Sequence, residues 1–357
     1  MGMDSAERAI IGLICVAVVA AATVWARSNS LRYRTLLLAT LVATLTLVVL
    51  GAFVRLSDAG LGCPDWPGCY GNLTPHHSAE QIRAAESARP GGPVSLSKAW
   101  KEMLHRYLAM IVGSLIAAIA LSTWRNSDAA VKSPLLPAGL VLLVSFQALL
   151  GAWTVTMLLR PAIVTAHLLG GMALFALLAW QYLRQHYPSS VNGLPGIIGV
   201  EMRVLAAVGL IALIGQIALG GWVSTNYAAL ACPDFPGCQG EIIPEMAFKD
   251  AFHVLRPLGI GPDGQLLTNE ALRAIHWTHR VGAIAVTAIL LVLAVLLLRR
   301  PLPKHFGGIL LVLLALQVVL GIGNVVGGLP LPIAVAHNAG AALLLGWLVY
   351  INFHLKY

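Results

Sequence analysis

Glu102-Met103-Leu104-His105-Arg106 is answered, 174 positions later, by His276-Trp277-Thr278-His279-Arg280. Each stretch leads into an apolar run of helical length. Each is followed by a second histidine at the head of another such run, in Thr165-Ala166-His167 and in Val335-Ala336-His337. Working outward, Gly51-Ala52-Phe53-Val54 and Cys63-Pro64-Asp65-Trp66-Pro67-Gly68-Cys69 recur as Gly220-Gly221-Trp222-Val223 and Cys232-Pro233-Asp234-Phe235-Pro236-Gly237-Cys238, at a constant offset of 169. Gln147, Gly151 and His167 recur as Gln317, Gly321 and His337 at an offset of 170. The larger offset between His105 and His279 requires a few extra residues in the second of two long loops. Matches that include Cys, Trp or Phe, and Pro at fixed spacing are not chance, so the chain is a tandem duplication.

Composition says where the duplicated unit resides. Of 357 residues 58% are hydrophobic and 11% charged, where a soluble domain carries about a quarter charged residues. A spanning helix needs roughly 20 mainly apolar residues. Stretches of that kind run at about 9–26, 35–54, 107–124, 137–159, 163–183, 202–224, 281–298, 307–327 and 333–353. The expected fold is an all-α polytopic membrane protein. Two pseudo-symmetric four-helix bundles, residues 31–187 and 188–357, follow one extra N-terminal transmembrane helix, residues 1–30. A linker is expected near residues 186–200, where Pro188, Ser189, Ser190, Asn192, Gly193 and Pro195 break the pattern.

The formal net charge of +8 does not point to nucleic acid. Arg27, Arg32, Arg34, Arg299, Arg300 and Lys304 flank apolar runs in short loops, as topology signals do. Placing them in the cytoplasm puts Arg125, Lys132, Arg184 and Arg203 on the same side. The first apolar run lacks a cleavage site, and its leading segment holds Asp4 and Glu7 against Arg8. A retained helix with its N-terminus outside is therefore expected rather than a signal peptide. An even number of helices per unit orients both units alike. All four matched histidines and both Cys loops then share the non-cytoplasmic side.

Both Cys-x5-Cys loops hold two prolines and a glycine, which can bring the ends within bonding range. Disulfides Cys63–Cys69 and Cys232–Cys238 are expected on an oxidising face. Tetrahedral zinc would need four ligands and tighter spacing, and no Cys-x-x-Cys-His motif for covalent haem attachment occurs. Cys15 reads as a small residue of the extra helix.

Most of the eleven histidines lie in polar loops (His76, His77, His253) or at helix ends (His186, His305, His354). The four matched ones stand at membrane depth, where a polar side chain is costly and commonly functional. Imidazoles on facing helices supply the two axial ligands of a haem iron, so His105 with His167 and His279 with His337 define two candidate haem sites. Gly170, Gly171 and Gly340 leave room for a flat macrocycle or for close helix packing. Arg106 and Arg280 are positioned either to meet haem propionates or to anchor the interface. One position breaks the symmetry. Glu102 precedes His105 by three residues and shares its helical face, whereas His276 holds that place in the second half. A carboxylate there serves as a proton relay or stabilises developing positive charge, alongside an ion pair with Arg106. The first half then holds the reacting site and the second a spectator redox cofactor. The role of His276 stays open.

In this order and spacing, Gly51-Ala-Phe-Val-Arg55, Cys63-Pro-Asp-Trp-Pro-Gly-Cys69, Glu102-x-x-His105-Arg106, His167, His279-Arg280 and His337 closely resemble the haem A synthase family, from about residue 35 to the end. The resemblance implies conversion of haem O to haem A for cytochrome oxidase, by stepwise oxidation of a methyl group through an alcohol to a formyl group. It implies haem B on His279 and His337, substrate haem O near His105 and His167, and Glu102 as the essential acidic residue. It further implies a bacterial plasma membrane or mitochondrial inner membrane. Haem O synthase and oxidase assembly factors are the implied partners, and homo-oligomerisation is left open. The extra helix and His276 depart from the family pattern. Two rival readings remain: a di-haem electron carrier that makes no new product, and a transporter using the histidines as proton relays.

Overall fold

The computed structural model of the chain describes residues 5–124, 134–187 and 199–356. Asp4, Arg125, Lys132 and the expected linker residues Pro188 to Pro195 lie outside the described residues. Within them the fold is helical, and nine helices are long and apolar enough to cross a membrane. These are α1 (Ser5–Arg27), α2 (Ser30–Leu56), α4 (Leu96–Trp124), α5 (Leu135–Thr156), α6 (Pro161–His186), α7 (Val200–Thr225), α9 (Asn269–Arg299), α10 (His305–Val326) and α11 (Leu331–Lys356). Short helices α3 (Ala79–Ala88) and α8 (Phe248–Ala251) lie in the two long loops.

Two compact units emerge, one formed by Met1–Leu159 with Ala173–Tyr187 and the other by Arg160–Met172 with Pro188–Tyr357. In the first, α1 lies against both α2 and α4, and α4 packs on α5. Its core draws Ala26 from α1, Leu36 and Leu37 from α2, Val112, Ile116 and Ile119 from α4, Leu140 from α5, and Leu174 and Leu178 from α6. Apolar transfer does not drive helices together in lipid, so close packing and interhelical hydrogen bonds must do so. The buried bond between Tyr33 Oη and Thr123 Oγ1, 2.8 Å long, is one of these. In the second unit α7 packs on α9 and α11, and α10 packs on α9 and α11, closing a four-helix ring.

The duplication shows in the loops as clearly as in the helices. After each disulfide a left-handed pair reverses the chain, Tyr70-Gly71 in one half and Gln239-Gly240 in the other. Asp65 accepts from the Tyr70 and Gly71 N–H groups at 2.6 and 2.7 Å. Asp234 accepts from Gln239 and Gly240 at 2.5 and 2.8 Å. The turns from α5 to α6 and from α10 to α11 repeat as well, through left-handed Leu158-Leu159 and Gly328-Leu329. The extra residues expected in the second loop form a short turn closed by an Ile260–Leu266 bridge.

The apolar runs mark the start of two helices too late. The runs begin near 107 and 281, whereas α4 begins at Leu96 and α9 at Asn269. Polar opening turns do not read as membrane, yet they are held as helix from outside. Thr268 caps α9 by accepting the Ala271 N–H. Ala99 and Met103 of α4 pack against the Cys63–Cys69 loop. His105 is thus the tenth residue of its helix and His279 the eleventh, roughly 14 Å along the axis at about 1.5 Å per residue.

Candidate haem sites

Both expected disulfides are formed. In the first half the loop is tied to α4 by a buried ion pair. Glu102 Oε1 lies 2.5 Å from Arg106 Nη2, and Glu102 Oε2 accepts the Cys63 N–H at 2.9 Å. Arg106 Nη1 donates to the carbonyls of Asp65, Pro67 and Gly68. Glu102 is 4% exposed and Arg106 9%. The loop backbone passes so close to α4 that a Cβ on Gly62 would meet the Lys98–Ala99 peptide at 2.6 Å.

The second half keeps the arginine and changes its neighbour. Arg280 donates to the carbonyls of Cys232, Asp234 and Gly237, and its Nε lies 3.2 Å from Nε2 of buried His276. Both guanidiniums therefore lock a Cys loop onto a helix face. Where Glu102 adds an anion to this arrangement, His276 adds a ring nitrogen. Asp234 underpins the second loop. The Gly240 N–H above all, then that of Gln239, holds its carboxyl below the usual 3.8.

Sequence reading gave no role to the seats of the histidines. A Cβ on Gly51 would meet His105 Cε1 at 2.9 Å, one on Gly220 would meet His279 Cε1 at 3.1 Å, and one on Gly321 would meet His337 Cε1 at 3.1 Å. Each imidazole thus rests edge-on against bare backbone of the long helix before its own, α2, α7 and α10 in turn. Gln216 Nε2 lies 3.0 Å from His279 Nδ1 and donates to the His279 carbonyl at 2.9 Å. Gln317 Nε2 lies 3.4 Å from His337 Nε2. The Gln-x3-Gly spacing, at 147/151, 216/220 and 317/321, was the available signal.

His279 and His337 stand on α9 and α11 of one unit. Among the described residues no cluster of three or more His, Cys, Asp and Glu forms a metal cage. Two imidazoles suit an iron that brings its own four equatorial nitrogens, and the buried Nδ1 of His337 has no hydrogen-bond partner. These residues fit a bis-imidazole haem. His105 belongs to the first unit and His167 to the second. Close to His167, Thr165 shares a hydrogen bond with Thr225 of α7 at 3.2 Å.

A duplicated helical membrane protein, with a glycine seating a histidine in each half, is the class that fold and site define. The chain belongs to the COX15-CtaA family of cytochrome oxidase assembly proteins, whose model matches residues 34–349. A heme A synthase from Shewanella oneidensis is 46% identical over 320 residues, covering 90% of this chain and 96% of that protein. A heme A synthase from Mesorhizobium japonicum is 28% identical over 360 residues, 93% of each chain. One from Halalkalibacterium halodurans is 26% identical over 327 residues, 87% of this chain and 93% of that protein. Helix α1 lies outside the family match.

Proposed function

We propose that the chain is a haem A synthase, an integral-membrane oxidoreductase that oxidises one methyl group of haem O, through an alcohol, to a formyl group. The supporting observation is a buried carboxylate, Glu102, where the repeated frame of the other half carries His276. The two functional halves, residues 31–187 and 188–357, follow the sequence repeat. His105 and His167 take the iron of haem O as substrate, and His279 and His337 hold haem B. Haem B, when bound, would supply one-electron transfer, with His279 and His337 as the residues that would hold it.

The catalytic role falls to Glu102. A carboxylate offers about four acceptor positions, which the Cys63 N–H, the Arg106 guanidinium and the Gly62 N–H only partly fill. The rest are available to a proton leaving the reacting carbon or oxygen. Fixed between a backbone N–H and a guanidinium, the carboxylate does not have to reorganise when charge develops. Arg106 and Arg280 offer propionates the donors that the loop carbonyls leave over. The Cys loops and haem sites are assigned to the non-cytoplasmic side, because disulfides persist in oxidising compartments. The start of α1 shares that side, since Glu7 accepts the Leu73 N–H beyond the first disulfide at 3.2 Å. Haem O synthase is the natural donor of substrate, and oxidase assembly factors the receivers of product.

The test is mass-resolved chromatography of haems from a host that makes haem O but lacks this activity. Haem A, or its hydroxymethyl precursor, is expected once the chain is expressed. Haem B and haem O alone, from folded and coloured protein, would leave an electron carrier in its place.

A further inference from the structure

The glutamines beside the histidines belong to a four-residue pattern that the repeat makes visible. Gln216 precedes Gly220 by one turn on α7, and the facing helix carries His279 followed by Gly282. Gln317 precedes Gly321 on α10, and the facing helix carries His337 followed by Gly340. The two glycines that follow the histidines are where the glutamines enter. A Cβ on Gly282 would collide with Gln216 Oε1, and one on Gly340 with Gln317 Oε1. Gln147, Gly151, His167 and Gly170 repeat the pattern in sequence. The fourth set reads Leu47, Gly51, His105 and Leu108. Glutamine and its admitting glycine have thus been exchanged for leucine together, at one histidine of four.

We propose that Gln216 and Gln317 are positioning residues that hold the His279 and His337 imidazoles in the orientation a haem iron requires, and that Gly282 and Gly340 serve to admit them. This inference rests on the assignment of haem B to those histidines. An imidazole bound to iron through one nitrogen keeps an N–H on the other, and the acceptor of that N–H sets ring rotation and ligand basicity. A side-chain amide presents either a donor or an acceptor to a ring nitrogen. Both glutamines lie at the ring they serve, and both Oε1 atoms are buried without a hydrogen-bond partner. Each amide now turns Nε2 toward its ring; a half-turn about its last bond brings Oε1 to the ring N–H of an iron-bound imidazole and gives that oxygen the bond it lacks.

The experiment uses the full chain purified with its haem, and compares Gln216→Leu, Gln216→Glu, Gln216→Leu/Gly282→Leu and His337→Ala. The double variant copies the set that this chain already folds around His105, which guards against misfolding. Readouts are haem B content, the rate of haem loss to apomyoglobin, and the midpoint potential of the low-spin haem. Gln216→Leu and the double variant are expected to lose haem about 10–100-fold faster and to show a raised potential, because a less basic imidazole stabilises ferric iron less. Gln216→Glu restores the acceptor and is expected to keep the haem with a lowered potential. Unchanged loss rate and potential in both leucine variants would overturn the proposal while leaving the haem site standing, provided His337→Ala loses haem B. Full haem B retention by His337→Ala would instead remove the site, and the proposal with it.

Discussion

The two halves of this chain place the same arginine over the same loop and then part company at its neighbour. Arg106 pairs with Glu102, whose other oxygen holds the Cys63 N–H. Arg280 meets His276 through Nε and has no carboxylate on its own helix face. Around the histidines the difference runs the other way, with amides at His279 and His337 and leucines, Leu47 and Leu108, in the matching places at His105. A duplicated frame thus carries its acid where the substrate is proposed to sit, and keeps a glutamine in the matching place at three of its four histidines, giving it up for leucine at His105 alone. Retention and turnover ask opposite things of an iron ligand, and this exchange of side chains answers both with one fold.

The largest difference between the halves should appear at the broken position. Glu102→Gln removes the charge and keeps an acceptor for Cys63, and is expected to lower product formation about 10²–10⁴-fold, the range for loss of a positioned acid or base. His276→Gln is expected to change it by no more than a few-fold. Both variants should retain haem B, read from the reduced-minus-oxidised spectrum. Equal losses of product at the two positions, with haem B retained, would make the carboxylate a brace for its loop and nothing more.

How much of this was legible beforehand follows from what sequence patterns record. Hydropathy and internal repetition located the nine long helices, because a helix in lipid needs a long apolar run. They missed the outer turns of α4 and α9, because Lys98, Lys101 and Glu270 look like loop while capping and loop packing keep them helical. Both disulfides were legible, since Cys-x5-Cys with Pro and Gly between is a local motif. The glycine seats were not, because Gly51 reads equally as helix packing until the neighbouring helix shows which ring it faces. Arg106 and Arg280 were open between propionates and anchorage. Only the three-dimensional course of the loops shows their guanidiniums committed largely to carbonyls of the Cys-x5-Cys segments.

Grafting sharpens the comparison further. Leu47→Gln/Leu108→Gly installs at His105 the amide and the glycine that surround His279. Because such acceptors are worth about 10–100-fold in metal affinity, substrate-side haem should dissociate about tenfold more slowly. Release of product should slow with it. Haem O and haem A are expected to accumulate on purified protein, measured by extraction and stopped-flow transfer. Unchanged residence in a folded double variant would mean that the leucines at His105 are packing alone.

The smallest effect concerns the loops. Asp234 is held below its usual 3.8 by the Gly240 and Gln239 N–H groups, so its folded state favours the carboxylate. A carboxyl depressed on folding stabilises the protein above its unfolded value and loses that contribution as pH falls through the folded one. The second Cys loop should therefore loosen below about pH 4, where hydrogen exchange of the Gln239 and Gly240 amides should quicken, and not above about pH 5. Asp234→Asn keeps one acceptor without the charge, and should remove most of that pH dependence with little change in haem content at neutral pH. The carboxylate lies at the surface, so water takes over much of what the turn loses. Only exchange at those amides, not the unfolding midpoint of the whole chain, should report the difference.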